Sequence, residues 1–385
     1  MKITVVCDVL GEANNGTSLA AYNLIKYLKK CGHDVTVISP DGPSGEGFVR
    51  VKTLNLGPFL NRVLERNGVK LAKPSSAILE PYIKDADLVH LLLPFPLSWR
   101  ALCLARRYSK PVTASFHCQA ENFTAHIGMM NMHFVNDLTY KTFYRFIYRR
   151  CDAVHYPTEF IRRVFESATA PTNAYVISNG VNDMFTMPHG GKTAENEKFT
   201  IVCCGRYSKE KAQFQLIRAA AKSKYKDRLH IIFAGDGPDR RKLEALASKL
   251  GVDCEFGFFK REDLVKVFQS ADLYVHTAVV EIEAIACLEA ICCGLVPVIC
   301  NSERSATRYF AVGDNSLFEE YNADDLAEKI DYWYSHPAEK DKRRAAYAPL
   351  RASLSQDMCM AKMEDMMRET AESYEEEHCL QRSAE

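Results

Sequence analysis

Glu281 and Glu289 stand eight residues apart in His276-Thr-Ala-Val-Val-Glu281-Ile-Glu-Ala-Ile-Ala-Cys-Leu-Glu289-Ala-Ile-Cys-Cys-Gly294, and the local pattern decides what that spacing can do. Residues 272–277 form a short apolar run that reads as a buried strand, and residues 284–293 are a run of helix formers closed by Gly294. Strand, loop, helix and a further strand at 298–300 make one βαβ unit. Ligands of such units lie at the carboxyl ends of the strands, where the start of the helix aims free N–H groups at an anion. Ionised carboxylates only accept hydrogen bonds. Glu281 before the helix and Glu289 inside it therefore suit hydroxyl groups, and hydroxyls flanking an anion describe a nucleotide sugar. The competing reading is a pair of ordinary surface carboxylates. Against it, Glu289 falls within the apolar stretch 284–298, where a carboxylate without a partner is costly to desolvate.

Cations stand where such a ligand needs them. Residues 199–204 read as a strand that delivers Gly205-Arg206-Tyr-Ser-Lys-Glu-Lys211 to the carboxyl edge of a sheet, and an Arg and a Lys five apart can clamp a diphosphate from two sides. The next strand ends in Gly235-Asp-Gly237-Pro238 at the same edge.

The elements that position these groups fall into two α/β halves. The first opens with a strand at 3–9, a loop containing Gly11 and Gly16, a helix, and a second strand at 35–38; further strands read at 88–92, 112–116 and 153–157, and a closing segment at 174–182. No Gly-x-Gly-x-x-Gly occurs, which argues against a dinucleotide oxidoreductase. His117 follows the 112–116 strand, where it is either a packed side chain or a site residue. Residues 139–150 place Tyr140, Phe143, Tyr144 and Ile147 on one helical face and Lys141, Arg145 and Arg149 on another; this is a core helix with a solvated basic face, or a segment that docks at a membrane interface. Polar, turn-rich residues 183–198 read as a linker. The expectation is two doubly wound Rossmann-like domains facing a cleft, 1–182 and 199–355.

Glu281-x7-Glu289 followed by Ala290 and Gly294-x-x-Pro297-Val298 resembles the signature of the retaining nucleotide-sugar glycosyltransferases of family four, which have the GT-B fold. The chain departs from it at Glu283-Ala284, where Phe-Gly is usual. The resemblance implies that Arg206 and Lys211 stabilise the departing diphosphate, Glu281 holds sugar hydroxyls, Glu289 holds the ribose, and the N–H groups of Ala284 and Ile285 receive phosphate. It also places His117 near the donor sugar, Gly16 close to the diphosphate, Gly235 at the cleft edge, Phe259 against the base, and a helix at about 358–377 crossing back to the first domain. His117-x-Gln119-x-Glu121-Asn122 is similar to a variant associated with bacterial diacylglycerol glycosyltransferases, with Ala120 in place of Pro. The implied activity is a metal-independent retaining transfer of a hexose from a UDP-sugar, the nucleotide sugar being a co-substrate and no cofactor being needed. The acceptor is a membrane lipid such as diacylglycerol, or a soluble glycan or small metabolite. The non-enzyme alternative, a nucleotide-sugar-binding relative without transferase activity, is expected to lose some of Arg206, Lys211, Glu281 and Glu289, and all four are present.

Composition agrees with this frame. The 385 residues are too many for one core, and 47% hydrophobic with 25% charged is ordinary for a globular protein. Net charge is zero but uneven: residues 1–181 hold 21 Lys and Arg against 14 Asp and Glu, a balance of +7, which leaves −7 for the remainder. The basic half can meet an anionic membrane surface, while the acidic half argues against nucleic acid as a partner. The 14 cysteines, including Cys203-Cys204 and Cys292-Cys293, sit in apolar contexts without Cys-x-x-Cys and read as buried thiols of a reducing compartment. With no signal peptide and no apolar run of membrane-spanning length, the expected location is cytoplasmic, peripheral at most on the inner face of the cell membrane.

Overall fold

In a computed structural model the chain folds into two parallel-sheet units, and residues 1–8, 10–11, 16–43, 45–55, 57, 61, 71–125, 128–188 and 197–383 are described. One unit is Met1–Asn179 joined by the chain from Cys359 onward; the other is Gly180–Met358. Part of the expected Gly11–Gly16 loop and of the 183–198 linker lies outside the described residues.

The first unit carries seven strands: β1 (Lys2–Val6), β2 (Asp34–Ser39), β3 (Phe48–Arg50), β4 (Leu88–Leu91), β5 (Val112–Ser115), β6 (Ala153–Tyr156) and β7 (Ala174–Val176). All pair in parallel in the order β3-β2-β1-β4-β5-β6-β7. β4, β5 and β6 are buried at every residue, as strands covered by helices on both faces must be. β3 has only three residues, none buried, and sits at the edge, so periodicity gives it no signal. The helices Ser76–Asp85 and Pro96–Arg107 also escape pattern reading; each has a proline in it, Pro81 in the interior of one and Pro96 at the start of the other.

The second unit carries β8 (Phe199–Cys204), β9 (Leu229–Ala234), β10 (Cys254–Gly257), β11 (Leu273–His276), β12 (Pro297–Cys300) and β13 (Leu317–Phe318), again all parallel, in the order β10-β9-β8-β11-β12-β13. Strand order reverses between β8 and β11, and between β1 and β4 in the first sheet. Such reversals open the crevice in which doubly wound sheets bind ligands.

The last helix, Gln356–Ser383, is longer than the expected 358–377. It begins in the second unit, where the Gln356 N–H donates to the Val181 carbonyl (3.1 Å), and continues into the first. There Cys359, Met360, Met363, Met366 and Met367, spaced by threes and fours, join Val5, Leu24, Leu28 and Val37 in one buried cluster. His33 Nε2 meets Glu364 Oε1 at 3.0 Å beside them.

The helix His133–Phe146 settles the reading of 139–150. Tyr140, Phe143 and Ile147 are buried, so the aromatic face belongs to the core and does not dock at a membrane. The opposite stripe, Phe134, Leu138, Lys141 and Arg145, is exposed throughout. All fourteen cysteines are free thiols, and no described helix is long and apolar enough to cross a membrane.

Candidate functional site

Both strands flanking the reversal in the second sheet deliver candidate residues to its carboxyl edge: β8 ends at Cys204 and runs into Gly205-Arg206, and β11 ends at His276 and runs into the loop bearing Glu281. The first loop is held close to the sheet. Thr277 Oγ1 donates to the Lys211 carbonyl (2.7 Å), Gln213 Nε2 donates to the Arg206 carbonyl (2.8 Å), and the Val279 N–H donates to the Glu210 carbonyl (2.8 Å). Gly235 and Gly237 make this possible. A Cβ on Gly235 would lie 2.1 Å from the Gly205 carbonyl oxygen, and one on Gly237 would lie 2.4 Å from that of Tyr207. Backbone packing therefore requires glycine at Gly235, the position read from sequence as a donor contact.

Lys211 and Glu281 meet in an ion pair with the carboxylate 11% and the ammonium 23% exposed. Burial opposes the charge on Glu281, yet Lys211 and His276 outweigh it and hold the carboxyl down to about 2. Burial likewise opposes the Lys211 ammonium, and Glu281 overrides it and raises its pKa. Both groups are ionised. Lys211 takes Glu281 Oε1, and no partner meets Oε2 among the described residues. Arg206 is half-buried on the same loop, and the Lys211 stem passes 3.8 Å from where a Gly205 Cβ would stand.

Glu289 lies in the helix Ile285–Cys292 and is 3% exposed. Its Oε1 accepts from Arg261 Nη2 at 2.6 Å, and the Arg261 guanidinium lies 4.8 Å over the Phe185 ring. Burial raises the Glu289 pKa and Arg261 opposes the rise. Arg261 was not legible as a site residue: it lies 28 positions upstream of Glu289 and belongs to no motif. Phe259 is partly buried against the core cluster, while its neighbour Phe258 is 64% exposed. Glu283, the departure from the family pattern, is buried.

Ala284 precedes the helix at φ 58° and ψ 66°, in the left-handed region. The N–H groups of Ile285 and Ala286 meet no acceptor among the described residues, and Cys287 N–H turns back to the Ala284 carbonyl at 2.9 Å. A non-glycine residue here is strained by about 1–2 kcal/mol, and the extra freedom of an unfolded glycine offsets about 0.4–1 kcal/mol of any relief. Ala284→Gly is therefore expected to stabilise the protein by about 0.5–1 kcal/mol, read as a higher urea midpoint at unchanged slope. An unchanged or lower midpoint would show that the turn is not strained.

In the first sheet, Gly16 opens the helix Gly16–Lys30 after β1, exposed and with open space where a Cβ would stand. His117 follows β5 with its ring edge-on to that of His155, centroids 5.8 Å apart. His155 belongs to a buried chain crossing four strands. Its Nε2 must donate to the Ile177 carbonyl (2.6 Å), so Nδ1 accepts from Ser115 Oγ (2.9 Å). Ser115 Oγ then accepts from His90 Nε2 (3.0 Å), and His90 Nδ1 accepts from Thr113 Oγ1 (2.9 Å). Both tautomers in this chain are fixed, and His90 and His155 are neutral. Burial lowers His90 to about 3 and His155 to about 4, and burial with His155 and His90 nearby keeps His117 well below its ordinary value. Glu121 is occupied too, accepting from the Tyr140 hydroxyl at 2.6 Å.

No cluster of potential metal ligands occurs among the described residues. The one Asp-x-Asp sequence, Asp85-Ala86-Asp87, precedes β4 at the amino edge of the first sheet, where both aspartates bind Lys2.

Comparison with known proteins bears on this arrangement. Residues 189–351 match the family "Glycosyl transferases group 1", and residues 14–184 match "Glycosyltransferase Family 4". A GDP-mannose-dependent alpha-mannosyltransferase of Mycobacterium tuberculosis is 25% identical over 322 residues, covering 78% of each chain. The alpha-monoglucosyldiacylglycerol synthase of Acholeplasma laidlawii is 21% identical over 342 residues, covering 83% of this chain and 84% of its own. Among solved structures, Anabaena HepE in complex with UDP superposes with a TM-score of 0.73 over 96% of this chain and all of its own at 16% identity, which speaks to fold.

Proposed function

The chain is a family-four glycosyltransferase with the GT-B fold, and from that premise we propose that it moves a hexose with retention from a UDP-sugar to a membrane lipid, without a metal ion. The observation that carries the donor half is the Lys211–Glu281 pair, ionised and set beside Gly205-Arg206 at the strand-order reversal. In this reading Lys211 and Arg206 face the diphosphate, and the N–H groups of Ile285 and Ala286 take further phosphate oxygens. Charge builds on the leaving diphosphate as the glycosidic bond breaks, and preorganised cations there supply the main catalytic term. Glu281 Oε2 accepts from sugar hydroxyls. Glu289, with one oxygen pinned by Arg261, presents the other to the ribose. The family resemblance assigns His117, kept neutral by burial, to the sugar.

A lipid acceptor is supported by three observations. A relative is named for glucosyldiacylglycerol synthesis, the first half carries the +7 balance, and the first unit exposes Phe134, 78% accessible, with Leu138, Lys141 and Arg145 in one stripe. Apolar side chains that enter the lipid boundary beside cations that meet anionic headgroups suit peripheral attachment. Each near-surface cation contributes on the order of 1 kcal/mol. Sedimentation with vesicles tests this: binding to phosphatidylserine-containing but not neutral vesicles is expected, lowered by salt and abolished by Phe134→Ser with Leu138→Ser. Recovery in the supernatant with both vesicle types, together with transfer to a water-soluble glycan, would assign a soluble acceptor instead.

A further inference from the structure

His276, the last residue of β11, is 3% exposed, and its Nε2 is sealed from solvent with no hydrogen-bond partner among the described residues. A buried, unpaired polar atom in a native fold calls for a physical reason. Two neighbours supply one. The Tyr274 hydroxyl, itself fully buried, lies 3.4 Å from His276 Nδ1. Burial keeps the ring neutral, and Nε2 faces a carboxylate that can only accept, so the imidazole proton lies on Nε2 and Nδ1 accepts from that hydroxyl. Nε2 in turn faces Glu281 Oε1 at 3.6 Å, just beyond hydrogen-bond length. The same oxygen is already taken by Lys211. A donor group thus stands beside the carboxylate while a cation occupies it.

Resting on the donor-site reading above, we propose that His276 is a positioning residue that takes over Glu281 when the donor diphosphate draws Lys211 away. Lys211 serves two anions in turn. It pairs with Glu281, and a bound diphosphate competes for its ammonium. Without a second donor, Glu281 would then be a buried carboxylate with an unsatisfied oxygen and no fixed orientation toward the sugar. A small shift of Glu281 brings Oε1 onto His276 Nε2–H. The charge-assisted bond so formed keeps Oε2 aimed at the sugar hydroxyls. The sequence shows His276 only as the end of an apolar strand. Its role comes from the carboxylate that its Nε2 faces, with Nδ1 occupied by the Tyr274 hydroxyl.

Calorimetric titration of the full chain with UDP, UDP-glucose, GDP and GDP-mannose separates this from packing. The readout is the affinity ratio of each sugar nucleotide to its bare diphosphate. His276→Leu removes the donor and is expected to weaken both ligands, since either draws Lys211 away, and to lower the ratio about tenfold or more, because only the sugar also needs Glu281 oriented. His276→Gln, whose amide nitrogen can stand in for Nε2, restores the ratio. Tyr274→Phe removes the partner of Nδ1, loosens the ring, and gives an intermediate loss even if His276→Leu does not fold. An unchanged ratio in His276→Leu or Tyr274→Phe, or equal losses for sugar nucleotide and diphosphate, overturns the proposal. Glu281→Gln run alongside distinguishes the premise: if it keeps the wild-type ratio, Glu281 does not hold the sugar at all; if it loses the ratio while His276→Leu keeps it, only His276 is excluded.

Discussion

Lys211→Ala is expected to lower turnover by roughly 10²–10³-fold, the loss that accompanies removal of one preorganised donor from developing negative charge. The substitution also reaches the empty protein. Glu281 remains buried with His276 as its neighbour, and its carboxyl, now about 2, must rise toward the neutral form. Breaking a buried pair by removing one partner costs about 3–5 kcal/mol; the Lys211 side chain is 23% exposed, so a loss of about 2–3 kcal/mol is expected. Combining Lys211→Ala with Glu281→Gln separates the two effects. The double variant recovers most of the thermal midpoint and none of the turnover. Turnover of Lys211→Ala within about threefold of the parent, read as nucleoside diphosphate release, would remove Lys211 from the chemistry.

Acid is expected to weaken the first unit before ordinary carboxylates titrate. His90 and His155 have folded pKa values of about 3 and 4 against 6.5 unfolded, so they contribute stability above 6.5 that is lost as pH falls from there toward those values. Asp8 has the opposite sign. Buried at the carboxyl end of β1 and accepting from the Leu97 and Ser98 N–H groups at 3.4 Å, its folded pKa is raised by burial to about 7. Protonating it below 7 therefore favours the folded state. At pH 4 His90 and His155 lose more than Asp8 gains, by about 3 kcal/mol, and His117, held well below its ordinary value by burial, adds to the loss. His155→Gln should flatten the decline between pH 6.5 and 4, and Asp8→Asn should steepen it by removing the gain. Urea unfolding across that range, followed by a first-unit probe such as Trp99 fluorescence, reads both. A flat profile in the parent would mean that the His90–Ser115–His155 chain admits protons without breaking.

Much of the second unit was legible because its signals are local. Buried strands end in glycine loops, and Arg206, Lys211, Glu281 and Glu289 sit within single elements or the turns next to them. What stayed hidden depends on contacts between elements. Arg261 reaches Glu289 from another helix, and His276 comes to face Glu281 only once β11 and the loop after it have formed. Gly235 was read as touching a ligand, whereas the Gly205 backbone already demands the missing side chain. In the first unit, helical periodicity correctly placed Tyr140, Phe143 and Ile147 on one face but could not say that the core lies there. The exposed Phe134–Leu138 stripe on the other side emerges only from the packing.

The central claim is that a sugar nucleotide bound at the β8–β11 reversal is consumed by this chain. Mass-spectrometric product analysis after offering UDP-glucose, UDP-galactose and GDP-mannose with diacylglycerol in anionic vesicles tests it most directly. Release of one nucleoside diphosphate together with an α-linked hexosyl lipid, abolished by Arg206→Ala, is the predicted result. Sugar nucleotides left intact in every pairing, with acceptors extended to soluble glycans, would contradict it.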